Sequence, residues 1–332
     1  MYIKQTFKKS RPTLSRNIDN FAYLIIGVSV ISVLWLIFQF IFGGLAFGYE
    51  LYNSPEVLDR FLDIDNQMTS VEVMGILDSN LSLFLLLFSF LGLTLGVIIA
   101  SYIEGVSFLK LTTSRLKIDF KRIFLSFFLT GSISVLMIIV SILIFPENYV
   151  LNFDLTSFLI LFLICIVMIP IQASAEEYLF RGYLMQSLGR LTKTRWFPFI
   201  FTSIAFGLLH GANPEVEVLG NIVYVWYIGS GFLAGIMTLM DEGMELAIGW
   251  HIGNNFFAAL LVTADWTALN TNSVFKDISD PSTYTIFDNL LTILIPIFII
   301  YPFILAVFAY IYKWKNWRQK LFGVYDKSRL II

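Results

Sequence analysis

The residues able to do chemistry in this chain are few and oddly placed. Glu176, Glu177, Arg181, His210 and His251 all fall in or beside strongly apolar stretches, and the two histidines are the only ones in the protein. Ionisable groups at membrane depth are rare and mark cavities or functional pathways. Any one of them alone also fits packing glue, a polar side chain hydrogen-bonded between helices. As a set they offer acid–base chemistry, provided they meet in space.

Spacing assigns roles within each helix. Glu177 and Arg181 are i,i+4 neighbours on one helical face and should pair, which lowers the cost of burying both. Glu176 is rotated about 100° away and has no such partner along its helix. A lone carboxylate in a low-dielectric setting is suited to act as a general base or acid. His251 and Asn255, again i,i+4, present two hydrogen-bond donors side by side, fit to hold a developing oxyanion. Asn254 at i+3 competes with Asn255 for that place. Phe206 lies one turn before His210 and can fix its ring.

Helix arithmetic brings these residues to one level. A helix from Thr156 to Arg190 would run about 52 Å, beyond a bilayer core of about 30 Å, so it should project from the membrane or break at Pro170. If the following turn centres on Lys193, Glu176 and His210 stand equally far from it along the chain, 17 positions each. They then face each other across an antiparallel hairpin. His251 lies about 9 Å into a helix that starts at Glu245 after a short Asp241–Glu242–Gly243 turn. Small-xxx-small pairs at Gly207/Gly211, Gly231/Gly235 and Gly249/Gly253 support close helix packing around the cluster.

The elements that carry these residues are membrane helices. Of 332 residues, 57% are hydrophobic and only 14% charged, against roughly 45–50% and about 25% in ordinary globular proteins. This composition excludes a soluble globular enzyme and a disordered chain. A net charge of −2 offers nucleic acid no basic surface, so no nucleic-acid partner is expected. The single Cys165 leaves no disulfide framework and no cysteine-based zinc site. Apolar runs near Phe21–Phe47, Ser82–Ile103, Ile123–Phe145, Thr156–Ala175, Trp196–His210, Leu219–Met240, Glu245–Val262 and Asp288–Tyr312 predict an all-α, polytopic transmembrane bundle of about eight spans.

Basic residues orient the bundle. The N-terminal segment, the connection from Lys110 to Arg122, the connection from Arg190 to Arg195 and the C-terminal tail hold all of the 22 Lys and Arg except Arg60, Lys276 and Arg181. The positive-inside rule therefore predicts cytoplasmic termini, in agreement with an even number of spans, in a multi-pass protein of the plasma membrane. The acidic connection from Glu50 to Asn80 falls outside and reads as a solvated loop.

Three motifs now stand in order: Glu176-Glu177-Tyr-Leu-Phe-Arg181, Phe206-Gly-Leu-Leu-His210 and His251-Ile-Gly-Asn-Asn255. Together they resemble the CAAX prenyl endopeptidase and bacteriocin-processing (CPBP, Abi) family of intramembrane proteases. The resemblance covers roughly Thr156 to Val262. It divides the chain into N-terminal helices (1–155), a protease core (156–262) and a last helix with a basic tail (263–332).

The resemblance implies an intramembrane endopeptidase, traditionally classed as a metalloendopeptidase and also described as glutamate-dependent. It implies that Glu176 activates water with His210 orienting it, and that His251 and Asn255 hold the oxyanion. Glu177 and Arg181 would then support the architecture. No cofactor is favoured. The alternative is zinc on Glu176, His210 and His251, although His-Glu-x-x-His is absent and each histidine belongs to a different helix. The expected partners are the lipid bilayer and a peptide or membrane-protein substrate. The alternative function is a non-proteolytic scaffold or bacteriocin self-immunity protein that binds a partner in the same cavity. A transporter is disfavoured because no repeated halves are visible.

Overall fold

In lipid every backbone N–H and C=O must be satisfied within the protein, which makes long uninterrupted helices the natural outcome for this sequence. The structure, a computed structural model, describes residues 13–54, 58, 59, 62, 79–284 and 293–324. Most of the acidic 50–80 connection and parts of the basic termini lie outside the described residues. The helices are α1 (Thr13–Asn53), α2 (Ser79–Phe88), α3 (Phe90–Glu104), α4 (Phe108–Thr112), α5 (Phe120–Ile144) and α6 (Leu155–Glu177). A π-helical segment (Tyr178–Leu184) joins α6 to α7 (Met185–Thr192), followed by α8 (Trp196–Leu208) and α9 (Pro214–Leu219). Then come α10 (Val223–Asp241), α11 (Glu245–Leu261), α12 (Tyr301–Ile311) and α13 (Trp317–Phe322).

Local signals explain where the central helices begin and end. Asp119 and Asp154 cap α5 and α6, their carboxylates accepting from the backbone N–H of Lys121 and Ser157. The two expected turns are present, with Lys193 and Glu242 each in the left-handed region at φ 58°. Each turn closes a helical hairpin, α7 to α8 and α10 to α11.

Six helical stretches are long and apolar enough to cross a membrane: Asn20–Asn53, Ser79–Glu104, Phe120–Ile144, Leu155–Thr192, Val223–Asp241 and Ile293–Ile311. The expected spans that carry the histidines are shorter. α8 ends at Leu208 and passes into a 3-10 turn, Leu209–Ala212, ahead of Pro214. α11 stops at Leu261, where the chain becomes extended. α11 is buried from Glu245 to Gly253, packed against α5, α6 and α10.

Of the two courses open to the long fourth helix, the structure shows the unbroken one, and it adds a small sheet. The long fourth helix does not break at Pro170, which α6 contains, and its irregularity is the π segment directly after Glu177. π segments recur at functional sites because one wider turn re-aims the side chains on either side. A small sheet, ordered β1–β3–β2, joins Tyr149–Leu151 and Val262–Thr263 to the central strand Phe275–Asp277. β1 pairs antiparallel and β2 parallel with that strand. It ties the α5–α6 connection to the α11–α12 connection, the ends opposite the Lys193 and Glu242 turns.

Glycines set the closest helix approaches. A Cβ on Gly231 would lie 2.4 Å from the Ser203 carbonyl oxygen, so α10 meets α8 backbone to backbone. Gly249 and Gly253, which flank His251, do not face the polar cluster. Their missing side chains admit the α5 backbone, at 2.2 Å from the Ile123 carbonyl and 2.8 Å from that of Phe127. They press α11 onto α5 from behind and turn His251 the other way.

Candidate active site

Glu177 is the centre of the site. Its side chain is wholly buried at the end of α6, and its Oε1 accepts from Arg181 Nη1 at 2.9 Å, the expected i,i+4 pair. The same oxygen accepts from His251 Nδ1 on α11, also at 2.9 Å. Arg181 is completely buried as well; its Nη2 donates to the Gly231 carbonyl at 2.9 Å, and its guanidinium lies 4.7 Å from the centre of the Phe206 ring. One carboxylate thus joins α6, the π segment and α11, and through Arg181 reaches α8 and α10.

Glu176 points elsewhere, as its rotation from Glu177 requires. Its Oε2 is buried with no hydrogen-bond partner among the described residues and lies 3.8 Å from His251 Nε2. The expectation that it has no partner along its own helix is corrected at Gln172, one turn earlier, whose Nε2 donates to Glu176 Oε1 at 2.5 Å. Gln172 in turn accepts from Asn255 Nδ2 at 3.0 Å, and Asn255 Oδ1 accepts from Asn254 Nδ2 at 3.1 Å. Both asparagines are therefore in one chain, with Asn255 nearer to Glu176.

His210 does not lie in a regular helix but in the 3-10 turn after α8. Its Nδ1 is 2.7 Å from the Phe206 carbonyl, and the two rings are 4.7 Å apart, so Phe206 fixes the imidazole twice. On the other side Tyr227 of α10 stacks on it at 4.3 Å, 24° from parallel. The Tyr227 hydroxyl accepts from Asn213 Nδ2 at 2.9 Å. Nearby in α9, outside the spanning helices, burial pushes the Glu215 carboxyl up, opposed by the Ala268 N–H that donates to it at 2.8 Å.

Both histidines thus commit Nδ1 to an oxygen acceptor, leaving Nε2 available for chemistry. Glu176 and His251, two of the three residues of the zinc alternative, face each other with Oε2 and Nε2 3.8 Å apart, while His210 stands in the turn after α8. Among the described residues no three His, Cys, Asp or Glu side chains are placed to hold a metal ion.

Sequence reasoning missed Gln172 and Tyr227. Gln172 was detectable as the polar residue one turn before Glu176 in an apolar run. Tyr227 was not, because its contact depends on how α10 crosses the turn after α8.

The described helices form a polytopic bundle with a buried Glu–Arg–His node and a second glutamate and an asparagine beside it. Residues 155–257, the segment that holds all three motifs, match the family model of type II CAAX prenyl endopeptidase Rce1-like proteins. The chain is also similar to the uncharacterized protein YyaK of Bacillus subtilis (strain 168), 28% identical over 268 residues, 80% of this chain and 82% of that protein. No solved structure matches the chain.

Proposed function

We propose that the chain is a glutamate-type intramembrane endopeptidase acting on membrane-associated, C-terminally lipidated or leader-type peptides, with both termini in the cytoplasm. The observation that carries this reading is Glu176 Oε2, a buried carboxylate oxygen with no hydrogen-bond partner among the described residues, facing a histidine at 3.8 Å. A carboxylate oxygen left without a partner keeps its lone pairs for a water, the placement a general base needs.

Glu176 Oε2 takes a proton from a water that His210 Nε2 helps to orient, and the hydroxide attacks the scissile carbonyl carbon. The oxyanion forms within reach of Asn255 Nδ2 and His251 Nε2. Because His251 Nδ1 already donates to Glu177, donation from Nε2 as well requires the imidazolium form. Collapse of the intermediate breaks the C–N bond, and Glu176 returns its proton to the departing amine.

The family match does not favour the scaffold alternative. The test is a cleavage assay on purified protein beside membrane proteomics of a strain carrying Glu176→Gln. Peptides that accumulate uncleaved at normal protein abundance support the reading. Wild-type turnover by the variant overturns it.

A further inference from the structure

Gln172 belongs to none of the three motifs, yet its side chain bonds both Glu176 on α6 and Asn255 on α11. It is 6% exposed, so water is a poor substitute for either partner. An ionised carboxylate can only accept hydrogen bonds, so the Gln172 atom facing Glu176 must be the amide nitrogen. The amide oxygen then faces α11, and Asn255 must meet it with Nδ2. Asn255 Oδ1 is consequently turned away and accepts from Asn254. The acceptor-only character of one carboxylate thus orients three amides in sequence, every donor running toward Glu176.

We propose that Gln172 is a positioning residue for both halves of the reaction, an inference that rests on the function proposed above. On the base, it occupies Oε1 and leaves Oε2 as the oxygen that takes the proton. On the oxyanion side, it holds Asn255 so that the second N–H of Nδ2, rather than a carbonyl oxygen, is presented. With Gln172 gone, Asn255 is free to rotate by half a turn and offer Oδ1, which would repel the developing negative charge. Gln172 acts through Glu176 and Asn255, the two side chains it bonds.

The experiment compares wild type with Gln172→Leu, Gln172→Met and Asn255→Ala, and with the double variant Gln172→Leu/Asn255→Ala. Two apolar replacements of similar volume guard against a single folding failure, which melting curves report. The expected result is a kcat lower by about 10–100-fold with KM unchanged, one step milder than removing an oxyanion donor outright. Replacing Asn255 in the Gln172→Leu background should cost far less than in wild type, because both changes remove the same donor. A KM effect with intact kcat, or additive losses in the double variant, would overturn the proposal.

A second readout does not depend on turnover. In isotope-edited infrared spectra of protein labelled with 13C-glutamate, the carboxylate band removed by Glu176→Gln should shift when Gln172 is replaced by leucine. An unmoved band overturns the relay even if the protein cleaves nothing. A shifted band in a protein without peptidase activity would instead leave the relay standing and sink the enzymatic reading.

Discussion

Replacing Glu177 by glutamine is the most informative single perturbation, because one oxygen holds two helices and a buried cation. Glu177 Oε1 receives both Arg181 Nη1 and His251 Nδ1 at 2.9 Å, and Oε2 is buried without a hydrogen-bond partner among the described residues. The amide can keep an acceptor at Oε1. It then places an NH2 where Oε2 stood and brings two more buried donors with no acceptor. It also leaves the guanidinium and imidazole facing a neutral group. Breaking one side of a buried ion pair costs about 3–5 kcal/mol. For a chain of this length that corresponds to a melting temperature lower by roughly 5–10 °C in detergent. The fraction that stays folded should also turn over about 100-fold more slowly, because His251 has lost the carboxylate that holds its ring through Nδ1. The double variant Glu177→Gln/Arg181→Met should melt higher than Glu177→Gln alone, since no charge is left unmatched, while remaining slow. The assay is a melting curve beside single-turnover cleavage for each variant. If Glu177→Gln is stable and inactive while Glu176→Gln melts early, the two roles are reversed and Glu177 is the base.

Exhaustive chelation should leave activity unchanged and the purified protein free of stoichiometric zinc; a loss restored by zinc would revive the metal alternative. Leu116 is 98% exposed on the α4–α5 connection and Ile278 52% exposed just after β3, at opposite ends of the bundle. Cysteines placed there should react with impermeant thiol reagents from the cytoplasmic and the outer side respectively, the buried Cys165 staying silent, and the reverse pattern would invert the topology. Gly249→Ala should lower stability by about 1–3 kcal/mol, because its Cβ would stand 2.2 Å from the Ile123 carbonyl oxygen. Gly44→Ala on α1, where nothing lies within 4 Å, should melt like wild type, and equal melting of both variants would refute the packing account.

Much of the architecture follows from the sequence alone, because in a bilayer hydropathy and backbone satisfaction leave helices as the main choice. The Lys193 and Glu242 turns, the start of α11 at Glu245 and the Glu177–Arg181 pair were all legible, since each depends on neighbours within a turn or two. Glu176 was separable from Glu177 by rotation alone. What could not be read locally was every contact that depends on how two helices meet. Which asparagine lies nearer Glu176 was decided by Gln172 on another helix. Gly249 and Gly253 look as if they make room for His251, yet they make room for α5 on the opposite face. That Glu177 receives His251 as well as Arg181 depends on the depth and rotation of α11 against α6. Periodicity places a side chain on a face of its own helix; only packing decides what that face meets.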